Sequence, residues 1–228
     1  STLDTEAQSV TLIYVDGTKG WQDIHDSTAN IQGAQFVAAT GGNATLTVGD
    51  FKTHVFTADG TFCVSCAGNA GGSNSVEYFV VAGSGASGKS GDLNGYASGG
   101  GGAGGFRLRS TAPGSNSPLN ATSNVPVTAT AFPVTVGGGG AQYSNGSNSV
   151  FSTITSAGGG VGGITCSPGP SPQRVTGNNG GSGGGGSSHQ PGCTPGPGGT
   201  GNTPPVSPPQ GNNGGSGASA FSNTVGGG

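Results

Sequence analysis

Charge is what this chain has least of. Six Lys and Arg and nine Asp and Glu among 228 residues leave a net charge of −3. The basic residues are scattered, so no cationic stripe can grip nucleic acid. No run approaches the roughly 18 apolar residues of a spanning helix, so no membrane insertion is expected. Ser1 to Ser9 lack the zones of a signal peptide. Methionine is absent and the chain stops on Gly226-Gly227-Gly228, so a product longer at both ends is expected. Apolar residues reach only 30%, against roughly 45–50% in ordinary globular domains. Nowhere do they keep a 3.6-residue period free of glycine, which removes α-helix from the reading. The raw material for catalysis is thin. His25, His54 and His189 lie far apart, and no nucleophile-elbow, metalloprotease or paired-carboxylate pattern occurs. Asp23, His25 and Asp26 read as a solvated polar turn. The chain is read as a non-enzyme with no cofactor and no metal.

What is abundant is glycine. Its 52 residues, with 14 prolines, make up about 29% of the chain. Such a composition usually means disorder, which normally comes with high net charge. Here there is too little charge to keep the chain expanded, so an ordered glycine-rich structure held by backbone contacts is expected. A flexible Gly/Ser/Asn linker is the plainer alternative.

Residues 1–8 read as a tail. Val10 to Val15, the turn Asp16-Gly17 and Trp21 predict a small hairpin covered by its aromatic. After Phe36-Val37-Ala38-Ala39 comes the break Gly41-Gly42. This leading module, 1–42, is too small to bury a core and needs copies of itself or a neighbouring protein. Strand signals follow at short spacing: Thr45 to Val48, Lys52 to Phe56, Thr61 to Val64, Val76 to Val81, Val125 to Thr128, Phe132 to Val136 and Ser149 to Ile154. They predict an all-β domain over 43–157, a β-sandwich or jelly-roll-like sheet with glycine-rich insertions. Pro126 and Pro133 place their segments at edges or strand starts. Gly72-Ser73-Asn74-Ser75-Val76 recurs as Gly146-Ser147-Asn148-Ser149-Val150, each copy opening a strand.

From 158 to 228 few large side chains remain. Extended polyproline II helices, with three residues per turn and no internal hydrogen bonds, offer an ordered solution. Glycine lets such helices approach and bond N–H to C=O between them, with Cα–H···O contacts adding to that. A bundle of this type is the expected fold of the region. Gly83 to Ser90 satisfies the phosphate-loop pattern G-x-x-x-x-G-K-S after a strand. That loop must open a helix, and Gly91-Asp92-Leu93-Asn94-Gly95 cannot form one. Cys63 and Cys66 sit three apart in a strand and face opposite ways, so no bond is expected unless Ser65 begins a turn; Cys63 reads as a small core residue. Cys166 and Cys193 are a candidate disulfide, a bridge that would remove several kcal/mol of chain entropy but would not persist in a reducing cytosol. Tyr96, Phe106, Tyr143 and Phe221 lie within or beside glycine runs. They are read as plugging the edges of the glycine layer, or as stacking on sugar rings of a receptor.

The string from Thr53-His54-Val55-Phe56-Thr57-Ala58-Asp59-Gly60-Thr61-Phe62 through Val76-Glu77-Tyr78-Phe79-Val80-Val81 to Gly99-Gly100-Gly101-Gly102-Ala103-Gly104-Gly105-Phe106-Arg107 resembles the glycine-rich domain of bacteriophage tail fibres and receptor-binding adhesins. Tyr14-Val15-Asp16-Gly17-Thr18-Lys19-Gly20-Trp21 is similar to the connector of structural proteins in marine, often cyanobacterial, tailed phages. The resemblance spans about residues 10 to 225. It implies a virion protein with polyglycine helices, a homotrimer or bound to a trimeric fibre. Residues 1–42 would join other virion or tail proteins, and the glycine-rich part would face a host surface glycan or outer-membrane protein. The apolar strand that often closes the family's glycine region is missing, and serine-rich Gly83 to Gly88 replaces its tetraglycine. An architectural fibre shaft or capsid decoration is the alternative. An ice-binding or matrix bundle would need a flat Thr or Ala face, which the irregular Asn/Ser/Pro spacing does not give.

Overall fold

The computed structural model describes residues 10–26, 34–88, 97–112, 117–164, 175–188 and 194–218. Among them there is no α-helix, and the all-β class holds. Packing divides the chain into two units: 1–39 with 64–76 and 126–130, and 40–63 with 77–125 and 131–228.

The first unit carries the expected hairpin, β1 (Val10–Asp16) with β2 (Gly20–Asp26). Its turn is fixed by Asp16, whose carboxylate accepts the N–H groups of Thr18 and Lys19 at 2.8 and 2.7 Å. Tyr14 and Trp21 stack edge to face at 5.5 Å. Leu12, Ile13, Tyr14 and Val15 are all about half exposed. Successive strand residues face opposite ways, so both faces of this ribbon are apolar and open. Elsewhere in the unit, the Gln35 carbonyl accepts from Asn69 and Ser73. A Cβ on Gly72 would stand 2.1 Å from that same oxygen. Ser73 therefore follows a glycine for want of space.

A five-stranded sheet runs in the order β13 (Ile154–Ser156), β12 (Ser149–Phe151), β11 (Ala131–Thr135), β6 (Gly60–Ala67), β3 (Val37–Thr40). Two-stranded pieces are β4 (Ala44–Val48) with β5 (Phe51–Val55), β7 (Ser75–Val76) with β10 (Val125–Pro126), and β8 (Tyr78–Val81) with β9 (Phe106–Arg109). In the second unit the β8–β9 ribbon packs on β12 and β13. Phe62 is buried there, edge-on to His54 and Phe151.

Several expectations change. Val76 to Val81 is two strands, β7 and β8, in different ribbons, and Asp23, His25 and Asp26, expected as a polar turn, lie in strand β2. Ser149 to Ile154 is two strands, because Ser152 adopts φ 52° and turns the chain between them. The segment 125–128 is strand only at Val125 and Pro126. Cys63 is exposed rather than core: it alternates with buried Phe62 and Val64 along β6, so the pleat turns it outward. Both Cys63 and Cys66 are free thiols, as their spacing implied. Pro133 lies inside β11, between two neighbouring strands, not at an edge or strand start. The bond from Val64 N–H to the Thr130 carbonyl (3.0 Å) sets the ladder's phase, so Phe132 and Val134 bond β6 while Pro133 turns its missing donor away. On that side β12 pairs only with Val134 and Thr135, so no donor is lost.

The glycine runs form a lattice. Extended segments I (82–88), II (97–105), III (137–140), IV (144–147), V (157–164), VI (175–180), VII (181–188), VIII (196–201) and IX (211–217) bond to each other through main-chain groups. Ala82, Gly85 and Gly88 donate to Gly105, Gly102 and Gly99 at 3.1, 2.9 and 2.9 Å. Gly99, Gly102 and Gly105 then donate to Gly163, Gly160 and Ala157 at 2.9, 2.7 and 2.7 Å. Every third residue bonds the same neighbour, the repeat of a threefold polyproline II helix. The lattice therefore begins at Ala82, well before residue 158. Segments V and VII are its interior, buried along nearly their whole length. A threefold helix surrounded on all sides has no outward face, so nearly every position must be glycine. A Cβ on Gly160 would lie 1.9 Å from the Asn178 carbonyl, and one on Gly184 2.2 Å from that of Val161. Val161, fully buried, is the exception. Its N–H bonds the Asn145 side chain at 2.9 Å instead of a backbone carbonyl, and that longer reach leaves room for an isopropyl group. On outer segment VIII, Gly196 and Gly199 point inward and Pro197 outward.

Candidate functional site

Chain direction reverses at every step of the bundle. Segments II and I, V and VI, VII and VIII, and VIII and IX are antiparallel, while V and VII, and VII and IX, run in parallel. All odd-numbered segments therefore end on one side, the distal end. The sheets join the other end, where β8 runs into I, II into β9, and β13 into V. Gly88 and Ala97, Ile164 and Val175, and Ser188 and Thr194 flank the distal connections, and III turns into IV there through 141–143.

Two serines hold the roots of those connections. The buried Ser187 hydroxyl lies 2.9 Å from the Ile164 carbonyl and 3.2 Å from that of Val175. It thus shares one proton between both flanks of 165–174. Ser188 holds the later flank of 89–96 alone, as its hydroxyl donates to the Ala97 carbonyl at 3.0 Å and accepts its N–H at 3.1 Å. Neither serine was singled out from the sequence. The visible signal is that the run Gly183 to Gly186 ends in a serine pair.

Of the aromatics, Tyr143 stands at this end, exposed and at φ 69°. Phe106 does not. It opens β9 at the sheet side, half-buried, with Phe79 edge-on at 5.2 Å. Tyr96, Phe221, Cys166 and Cys193 lie outside the described residues, as do the side chains of Asp23, His25 and Asp26. Gly83 to Gly88 of the phosphate-loop match lie in segment I, and its Lys89 and Ser90 lie outside the described residues. The amides of Gly83, Gly85 and Gly88 go to the carbonyls of Ser147, Gly102 and Gly99, so no phosphate can use them.

Asparagines do much of the fastening. Asn145 accepts from Val161 and Asn178, Asn148 from Gly158, Asn179 from Thr200 and Asn213 from Gly201. Each side-chain carbonyl takes an amide that no backbone carbonyl takes, between stretches that also bond directly through their main chains. At the sheet end buried Gln210 closes the turn 202–209. Its Oε1 accepts from Ala157 and its Nε2 donates to the Pro204 carbonyl, both at 2.8 Å. Glu77 ties the chain just after β9 by accepting from the Thr111 amide and hydroxyl. Partial burial alone would raise its pKa, but the Thr111 and Ser110 bonds and nearby Arg109 outweigh that and leave it lowered.

A β scaffold that feeds a polyglycine lattice defines a glycine-helix bundle protein. The chain belongs to the glycine-rich domain family, whose model matches residues 57–228. That membership covers the glycine-rich domain alone and says nothing of tail fibres. No curated protein and no solved structure matches the chain.

Proposed function

We propose that the protein is a structural virion component, a phage tail fibre or tail-tip adhesin that recognises a host surface. The observation that carries this reading is that Gly88, Ala97, Ile164, Val175, Ser188 and Tyr143 come to one end of a support made of main-chain hydrogen bonds. A rigid support lowers the ordering cost of binding, which is what a recognition tip requires. The N-terminal ribbon supports attachment, because an apolar surface open on both faces, with Trp21 66% exposed, is unusual for a monomer. In this reading residues 1–42 dock to other virion proteins or to further copies of the chain, as in a trimer. The distal end meets a surface glycan or outer-membrane protein.

The test labels the protein on intact particles and measures binding of the full chain to purified envelope of the particle's host. Label at the tail tip with saturable envelope binding is the expected result. Label along a shaft or capsid with no envelope binding would replace the adhesive role with an architectural one.

A further inference from the structure

A second feature lies at the sheet end of the bundle. A cleft of about 300 Å³ opens between β8, β9, Leu119 and segment IX. Its walls are apolar, from Val81, Phe106, Leu119 and Pro209, with Ser182 and Asn212 among them. No charged side chain lines it. The backbone of Phe106 is fixed by pairing with Val81 and by its N–H bond to the Gln210 carbonyl at 2.8 Å, and Phe79 meets its ring edge-on. Asn212 differs from the asparagines that fasten the bundle. The side chains of Asn145, Asn148, Asn179 and Asn213 each hold a hydrogen bond, whereas among the described residues that of Asn212 holds none, and neither does the Ser182 hydroxyl. A fixed aromatic wall thus stands beside two uncommitted neutral polar groups.

We propose that this cleft binds a neutral pyranose ring. A pyranose has an apolar C–H face and a rim of hydroxyls. The face suits Phe106, and the rim suits an amide and a hydroxyl that need partners. The volume sits at the small end of ligand pockets, enough for one ring rather than a long chain. The absence of charge disfavours sialic or uronic acids. The cleft shares no residue with the distal end, so it stands or falls separately from the adhesive reading of that end.

The test is saturation-transfer NMR on the full chain with methyl β-glucoside, methyl β-galactoside and N-acetylglucosamine. Transfer to ring C–H protons of at least one sugar is expected. Ala103→Leu, which fills the cleft from an exposed lining position, should abolish it. Asn212→Ala, which removes no bond of the fold, should weaken binding by about twofold to tenfold, the loss of one neutral hydrogen bond. Transfer from none of the three sugars overturns the proposal, as does transfer that both variants leave intact. A proline-rich peptide that binds the cleft where the sugars do not would overturn it in favour of a protein ligand.

Discussion

The hydroxyl of Ser188 spans both polar atoms of Ala97, accepting its N–H at 3.1 Å and donating to its carbonyl at 3.0 Å. These residues are 91 apart in sequence, and one side chain ties the flank of 89–96 to the flank of 189–193. The Ala97 carbonyl also takes the Ser188 amide, so removal of the hydroxyl orphans only the N–H. Ser188→Ala should therefore cost about 1–3 kcal/mol. The Ala97 amide should exchange faster with solvent while the amides of β6 keep their rates. Unchanged exchange at Ala97 would show that the serine holds nothing.

Steric need, rather than glycine content as such, holds the lattice together. Gly160→Ala would drive a methyl to 1.9 Å from the Asn178 carbonyl, whereas nothing lies within 4 Å of a Cβ at Gly138. The first should cost about 3 kcal/mol or more, the upper range for overpacking. The second should change the melting temperature little. Equal tolerance of both substitutions would mean that the segments are not in close contact.

Glu77 makes the fold sensitive to acid. Its pKa is lowered in the folded chain, so the unfolded chain takes up the proton more readily. The stability it contributes is present above the ordinary carboxylate value, about 4.3, and is lost as pH falls through the lower folded value. Melting curves taken down through that range should show a loss that Glu77→Gln reduces. The same acid response in both proteins would remove Glu77 as its source.

Cys63 is exposed and Cys66 half-buried on one strand, both as free thiols. A thiol reagent added to the native protein, with sites mapped by peptide mass, should modify Cys63 well before Cys66. The reverse order would place Phe62 and Val64 on the outer face of β6.

Much of this architecture is legible in the sequence. Asp16-Gly17 between β-branched runs gives the first hairpin, and glycine without charge gives an ordered bundle. Individual placements are harder to read. Cys63 looks like core by composition, yet the period-two pleat that buries Phe62 turns it outward. Ser152 turns the chain at φ 52° with no glycine to mark the spot. The order of segments in the lattice is the least legible feature, because bare glycines carry no address. Neighbours are chosen instead by scattered amides and hydroxyls such as Asn145, Asn179, Ser187 and Gln210, each meeting a partner remote in sequence. In a glycine-rich chain these polar residues look like filler.

Amide hydrogen exchange on the full chain tests the central claim most directly, since protection reports the free energy of opening each hydrogen bond. The amides of Gly160, Gly163, Gly184 and Gly185, bonded at 2.8–2.9 Å in the bundle interior, should be as protected as those of Phe62 and Val64 in the sheet. Exchange at those glycines at the rate of an unstructured peptide, with the sheet still protected, would contradict it.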